Sequence, residues 1–219
     1  MGKVLIVIDM QNDFVTGTLG NKEAQAIVLN VQAKVKEYAD RGDRIIFTRD
    51  THGENYLDTP EGKKLPVKHC INGTEGWQIV PGLEVENCEY IDKPTFGWLN
   101  WEGFGLNDEI ELVGVCTDIC VVSNALILKA KYPEAIISVD ASCCAGVTPE
   151  KHNAALEIMK SCQIDVYGQE EQKGVYGKFL VVLCQKIFYN NLVYAVFSPP
   201  KGKKIMCMQS TYKALSQLY

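Results

Sequence analysis

At 219 residues the chain can form one domain with a sizeable buried core, plus a short appendage. Its formal net charge of −5 argues against sequence-independent nucleic-acid binding, which needs clustered Lys and Arg. With 47% hydrophobic and 22% charged residues it reads as an ordinary globular protein, so a small-molecule site is the first thing to look for.

Val4–Ile8 is apolar throughout and reads as a strand buried on both faces. It is too short for a signal peptide or a membrane span, and it ends on the carboxylate of Asp9. From Lys22 to Arg41 the spacing of Ala24, Ile27, Val28, Val31, Val35 and Tyr38 predicts an amphipathic helix, stopped by Gly42. Arg44–Thr48 is a second strand. The stretch from Asp50 to Glu86 is irregular and holds two of the three histidines. Long loops inside compact domains are usually functional or disordered, and these histidines favour function.

Glu89–Asp92 and Glu109–Val115 read as strands, Asp118–Lys131 as a helix, Ala135–Val139 as a strand, Pro149–Cys162 as a helix and Ile164–Val166 as a last strand. This alternation predicts an α/β fold of three layers, αβα, with a mostly parallel, Rossmann-like sheet and right-handed crossovers. Ligands of such sheets bind beyond the C-terminal strand ends, where Asp9, Asp50, Lys93 and the Cys116–Cys120 turn all fall. The expected organisation is a domain over 1–167 and a C-terminal extension over 168–219. In the extension, Phe179–Cys184 and Leu192–Phe197 are candidate hairpin strands, and Lys186, Asn190 and Asn191 argue against a membrane helix.

The nine cysteines are an odd number with no export signal in view, so most are expected to be free thiols in a reducing, cytoplasmic setting. Cys116 and Cys120 lie between a strand and a helix, where free N–H groups and the helix dipole favour thiolate. The competing reading is a packed core thiol. Asp9 and Lys93 at neighbouring strand ends offer a proton acceptor and a cation for such a thiol. A buried structural ion pair is the plainer alternative. Cys143 and Cys144 read as packed residues of a strand-to-helix turn. His152 reads as a solvated or capping residue of a helix start.

Asp50 and His52 project to one side of an extended segment, with His69 later in the same loop. A carboxylate and two imidazoles suit a divalent metal, Zn first, with Fe or Mn as alternatives. Glu61 or Asp58 can add a ligand.

Together these pieces resemble the isochorismatase-like cysteine hydrolases, and within them the nicotinamidases. The carrying residues are Val7-Ile8-Asp9-Met10-Gln11-Asn12-Asp13-Phe14, Asp92-Lys93-Pro94-Thr95-Phe96 and Gly114-Val115-Cys116-Thr117-Asp118-Ile119-Cys120-Val121. The resemblance spans about residues 3 to 166. It implies Cys120 as nucleophile with Asp9 and Lys93, and a cis peptide at Val115–Cys116. Backbone N–H groups of Cys116 and Cys120 would form an oxyanion hole. It also implies a metal on Asp50, His52, His69 and Glu61, and Phe14 and Trp77 flanking an aromatic ring. The implied activity is deamidation of nicotinamide or a related aromatic primary amide, with a place in NAD salvage. A carbamoyl or ureido amidase and an inactive binding domain are the alternatives. A homo-oligomer without nucleic-acid or membrane partners is expected. Two segments depart from the family: Gly97–Asp108, which is short and carries Trp98 and Trp101, and the tail after Gly168.

Overall fold

The structure, a computed structural model, describes residues 2–169. The hairpin expected over Phe179–Cys184 and Leu192–Phe197 lies outside them.

Six strands form one sheet: β1 (Lys3–Ile8), β2 (Arg44–Asp50), β3 (Glu89–Lys93), β4 (Glu109–Val115), β5 (Ile136–Ala145) and β6 (Asp165–Tyr167). Their order is β3-β2-β1-β4-β5-β6, and every neighbouring pair is parallel. The helices are α1 (Asn12–Val15), α2 (Lys22–Arg41), α3 (Pro60–Lys64), α4 (Val122–Lys131) and α5 (Pro149–Ser161). Among the described residues, no helix is long and apolar enough to cross a membrane.

Strand periodicity divides the core into two layers. Val4, Ile6 and Ile8 face a cluster shared with α4 and α5, and Leu5 and Val7 face one shared with α2. Two-sided burial explains why β1 reads as an unbroken apolar run. The buried residues of α2, namely Ala24, Ile27, Val31, Val35 and Tyr38, match the expected stripe. Gly42 ends the helix in the left-handed conformation (φ 74°).

Two elements differ from expectation. Strand β5 runs on through Cys143 and Cys144, which therefore lie in the sheet and not in a turn. Its pairing with β4 shifts between Leu112 and Gly114. Ile137, Val139 and Ala141 consequently face one layer, and Cys143 and Ala145 the other. One irregularity reverses the side-chain parity, which no alternation rule anticipates. The helix expected from Asp118 begins instead as a π-wound segment, Thr117–Val121, before α4 takes over. Such segments concentrate at functional sites.

Chain direction places the C-terminal ends of β1 to β4 on one edge. Between β1 and β4 the order of connections reverses, leaving the crevice typical of open parallel sheets. Gly114 makes the closest approach there: its φ is +113°, and a Cβ would lie 2.1 Å from the Ile8 carbonyl oxygen. Gly114→Ala is expected to lower unfolding free energy by about 3 kcal/mol, read as a fall in urea midpoint at unchanged slope.

Candidate active site

The β1 strand delivers Asp9 in a left-handed backbone conformation (φ 48°), with no solvent exposure. Such a φ is uncommon for a residue with a side chain and turns the carboxyl sharply off the strand axis. Thr48, at the end of β2, donates its hydroxyl to Asp9 Oδ1 at 2.6 Å. Lys93, the last residue of β3, is also fully buried, and its ammonium lies 2.6 Å from Asp9 Oδ2. That contact is charge to charge, and it leaves Oδ2 without an aligned hydrogen-bond donor. The same ammonium donates to Cys120 Sγ at 3.6 Å and to the Thr95 carbonyl at 3.2 Å.

Cys120 rides on the π-wound segment, and the Val115–Cys116 peptide leading into it is cis. Asn124 fixes this region from behind. Its Nδ2 donates to the Cys120 and Phe96 carbonyls at 2.8 and 3.1 Å, and its Oδ1 accepts from the Trp98 N–H and the Trp101 indole. This fully buried amide thus ties the Gly97–Asp108 segment to the Cys116–Cys120 turn. His152 is half-buried, and its Nδ1 lies 2.8 Å from Thr117 Oγ1. It therefore braces that turn, and the residue that caps α5 is Thr148.

Burial pushes the Cys120 thiol well above its usual range, and the Asp9 charge adds to the shift while Lys93 opposes it. Cys116 is raised to about 12, first by burial and then by Asp118. The expectation that the helix start stabilises a resting thiolate is thus corrected: with Cys120 only 5% exposed, desolvation outweighs the local N–H groups. Asp9 is also raised, because burial outweighs Lys93. Burial favours loss of the Lys93 proton, but Asp9, Cys120 and Asp50 win and hold the ammonium charged above its usual range.

Beside this group, one ligand atom each of Asp50, His52, Glu61 and His69 converges to within 4.8 Å of the others. His52 Nε2 is 2.9 Å from Asp50 Oδ2, His69 Nε2 is 3.6 Å from the same oxygen, and Glu61 Oε1 is 3.8 Å from His52 Nε2. His69 Nδ1 donates to the Val67 carbonyl at 2.8 Å, which leaves Nε2 as the ring atom facing Asp50 and, in the neutral ring, the one able to ligate. Asp50 Oδ1 is buried without a hydrogen-bond donor, 3.6 Å from Lys93 Nζ. Two imidazoles and two carboxylates facing one point, with an orphaned carboxylate oxygen, fit a divalent cation. Asp58 is exposed and outside this cluster.

Three residues that the sequence did not single out build this half. Gln11 is fully buried, accepts the Asp50 N–H at 2.7 Å, and donates to the Asp50 and Trp77 carbonyls. The Tyr56 ring sits 4.7 and 4.9 Å from the His52 and His69 rings, with its hydroxyl donating to the Leu65 carbonyl. Gly62 keeps α3 against Tyr56, where a Cβ would meet the Tyr56 carbonyl at 2.1 Å, and so sets Glu61 beside the histidines.

Both halves open into a cavity of about 290 Å³ lined by Phe14, Leu19, Asn21, Asp50, Glu61, Leu65, His69, Phe96, Cys116, Ile119, Cys120 and Val147. Phe14 stands there as expected. Trp77 is not among the lining residues. Its indole donates to Thr51 Oγ1 at 2.8 Å, and the Arg49 guanidinium covers its ring at 3.9 Å. Phe96, which the sequence reading did not single out, lines the cavity instead.

The isochorismatase domain family matches residues 3–171. The chain belongs to this family. It is 27% identical over 187 residues to the nicotinamidase/pyrazinamidase of Mycobacterium tuberculosis, an alignment covering 75% of this chain and 97% of that protein. The pyrazinamidase of Pyrococcus horikoshii in complex with zinc superposes with a TM-score of 0.66 at 28% identity, covering 77% of this chain and all of that one. An Arabidopsis thaliana relative described as a probable inactive nicotinamidase is 32% identical over 176 residues, covering 72% of this chain and 87% of that protein. Shared family membership alone therefore does not set activity, and this chain's own residues must carry the argument.

The charge balance yields a prediction. Asp9 raises the Cys120 pKa, so neutralising it lowers that pKa and enlarges the thiolate fraction at a given pH. Asp9→Asn should alkylate faster than the unsubstituted protein with iodoacetamide at pH 7–8, by roughly tenfold for each unit the thiol pKa falls. Equal or slower labelling of Cys120 in the variant, followed by peptide mass spectrometry, would show that Asp9 is not what suppresses the thiolate.

Proposed function

We propose that this amide hydrolase deamidates nicotinamide, or a closely related aromatic primary amide, to the acid and ammonia through a thioester on Cys120. The observation that carries the reading is the single ammonium of Lys93 in contact with both Asp9 and Cys120, of which Cys120 lines the cavity. In this scheme Asp9 takes the thiol proton as the sulfur attacks the amide carbon. A carboxylate with a raised pKa is a stronger base for that transfer. The N–H groups of Cys116 and Cys120 face the oxyanion. Asp9 then returns the proton to the leaving nitrogen, ammonia departs, and Asp9 deprotonates the water that opens the thioester. Lys93 keeps its proton throughout and offsets the negative charge on carboxylate, sulfur and oxyanion in turn.

Asp50, His52, Glu61 and His69 would hold the divalent ion, with zinc the first choice on donor type. When bound, it supplies an electrophilic contact that orients the substrate's aromatic ring. Phe14 and Phe96 offer aromatic surface for that ring. At about 290 Å³ the cavity lies at the small end of ligand sites and suits a one-ring amide. The proposed domain spans 1–167, and NAD salvage is the expected context of nicotinamide hydrolysis.

Ammonia release from a panel of amides tests this. Nicotinamide should be turned over, and Cys120→Ala should lose at least about a thousandfold in kcat. Chelator should raise KM more than it lowers kcat. Added hydroxylamine should divert product to the hydroxamate, as a thioester requires. Turnover restricted to carbamoyl or ureido substrates would favour the other amidase reading, and no turnover of any amide would favour the inactive binding domain.

A further inference from the structure

The cavity wall is apolar apart from the residues already given work, with one exception. Asp50, Glu61 and His69 belong to the metal cluster, and Cys116 and Cys120 to the nucleophile turn. Every other lining residue is aliphatic or aromatic except Asn21.

Asn21 is the N-cap of α2, in an extended conformation (φ −139°, ψ 169°), and its Oδ1 accepts the Ala24 N–H at 2.7 Å. A backbone N–H can only donate, so this contact settles which side-chain atom is oxygen and which is nitrogen. Its Nδ2 then carries donor hydrogens with no acceptor among the described residues, on a half-buried side chain of the cavity wall. The cap therefore does two things: it starts α2, and it holds an amide donor in one orientation.

We propose that Asn21 is a specificity-determining residue whose Nδ2 donates to a hydrogen-bond acceptor on the substrate ring. It selects aromatic amides that bear an acceptor beyond the one facing the metal cluster, either a second ring nitrogen or a ring-borne oxygen. This deepens the amide-hydrolase reading above and rests on it. A single fixed donor in an apolar wall discriminates well, because a ligand without the matching acceptor leaves the donor unpaired once water is displaced.

The test is kcat/KM of the full chain, Asn21→Ser and Asn21→Asp on nicotinamide, pyrimidine-5-carboxamide and pyridine-3-carboxamides carrying a methoxy group at successive ring positions. Both substitutions keep a capping oxygen for Ala24 and remove the Nδ2 amide; Asp has no donor at all, while the Ser O–H sits near the Asn Cγ position, one bond short of Nδ2, and thermal denaturation reports whether α2 stays capped. For at least one substrate with a second acceptor, its kcat/KM relative to nicotinamide should fall about 3- to 10-fold in Asn21→Ser, and further in Asn21→Asp, where a second oxygen repels the acceptor. Unchanged ratios across the panel in folded variants would overturn this inference and leave the amidase reading intact. No hydrolysis of any member by the unsubstituted protein would overturn both.

Discussion

An ammonium with no access to water governs this site. Lys93 sits where isolated charge is costly, and it stays protonated because the carboxylates of Asp9 and Asp50 lie beside it. Removing one partner of such a group leaves the others uncompensated, so the carboxylates and the ammonium hold one another in place. The arrangement also joins the two halves of the site, since the same nitrogen is 2.6 Å from Asp9 and 3.6 Å from Asp50. A change in charge at the metal cluster is therefore felt at the thiol.

The sheet makes that convergence possible. Lys93 and Asp50 are directly paired across β3 and β2, and Ile8, which precedes Asp9, pairs with Thr48 on one side and Gly114 on the other. Four strand ends thus arrive at one edge in fixed register. The positive φ of Asp9 and the bare backbone of Gly114 let the chain turn off the sheet toward one point. Asn124 and Gln11 then lock the two flanking loops, Asn124 by joining the Cys120 turn to the Phe96–Trp101 segment and Gln11 by bonding the main chain of Asp50 at the end of β2.

Much of this was legible in the chain. The apolar run ending on Asp9, the stripe of α2 and the βα alternation follow from periodicity and burial, and they sufficed for a parallel sheet with its site at the strand ends. Asp50, His52 and His69 were legible as a candidate ligand set from residue type and proximity; the choice of Glu61 over Asp58 came from the family resemblance, and it is Glu61 that stands beside the histidines. Other features depend on tertiary context that no local pattern encodes. The parity reversal in β5 comes from a pairing shift with β4. Tyr56 has no motif and is defined by the rings it packs against. Trp77, a ring-binding aromatic by resemblance, has one face covered by Arg49 and does not line the cavity. The Cys120 thiol looked activated by its helix start, whereas near-complete burial beside a carboxylate, which no local pattern shows, raises its pKa.

A thiol held neutral at rest changes the demand on its partners. In the proposed scheme the sulfur becomes reactive only as its proton moves to Asp9, and the Lys93 charge serves both groups at once. That scheme requires Asp9 and Lys93 to work as one unit. A double-substitution cycle on kcat/KM with Asp9→Asn, Lys93→Met and the pair together measures that directly. The account predicts strong non-additivity, the double variant being scarcely worse than the poorer single one. Losses that simply add in free energy would mean that the two residues act independently, and would contradict it.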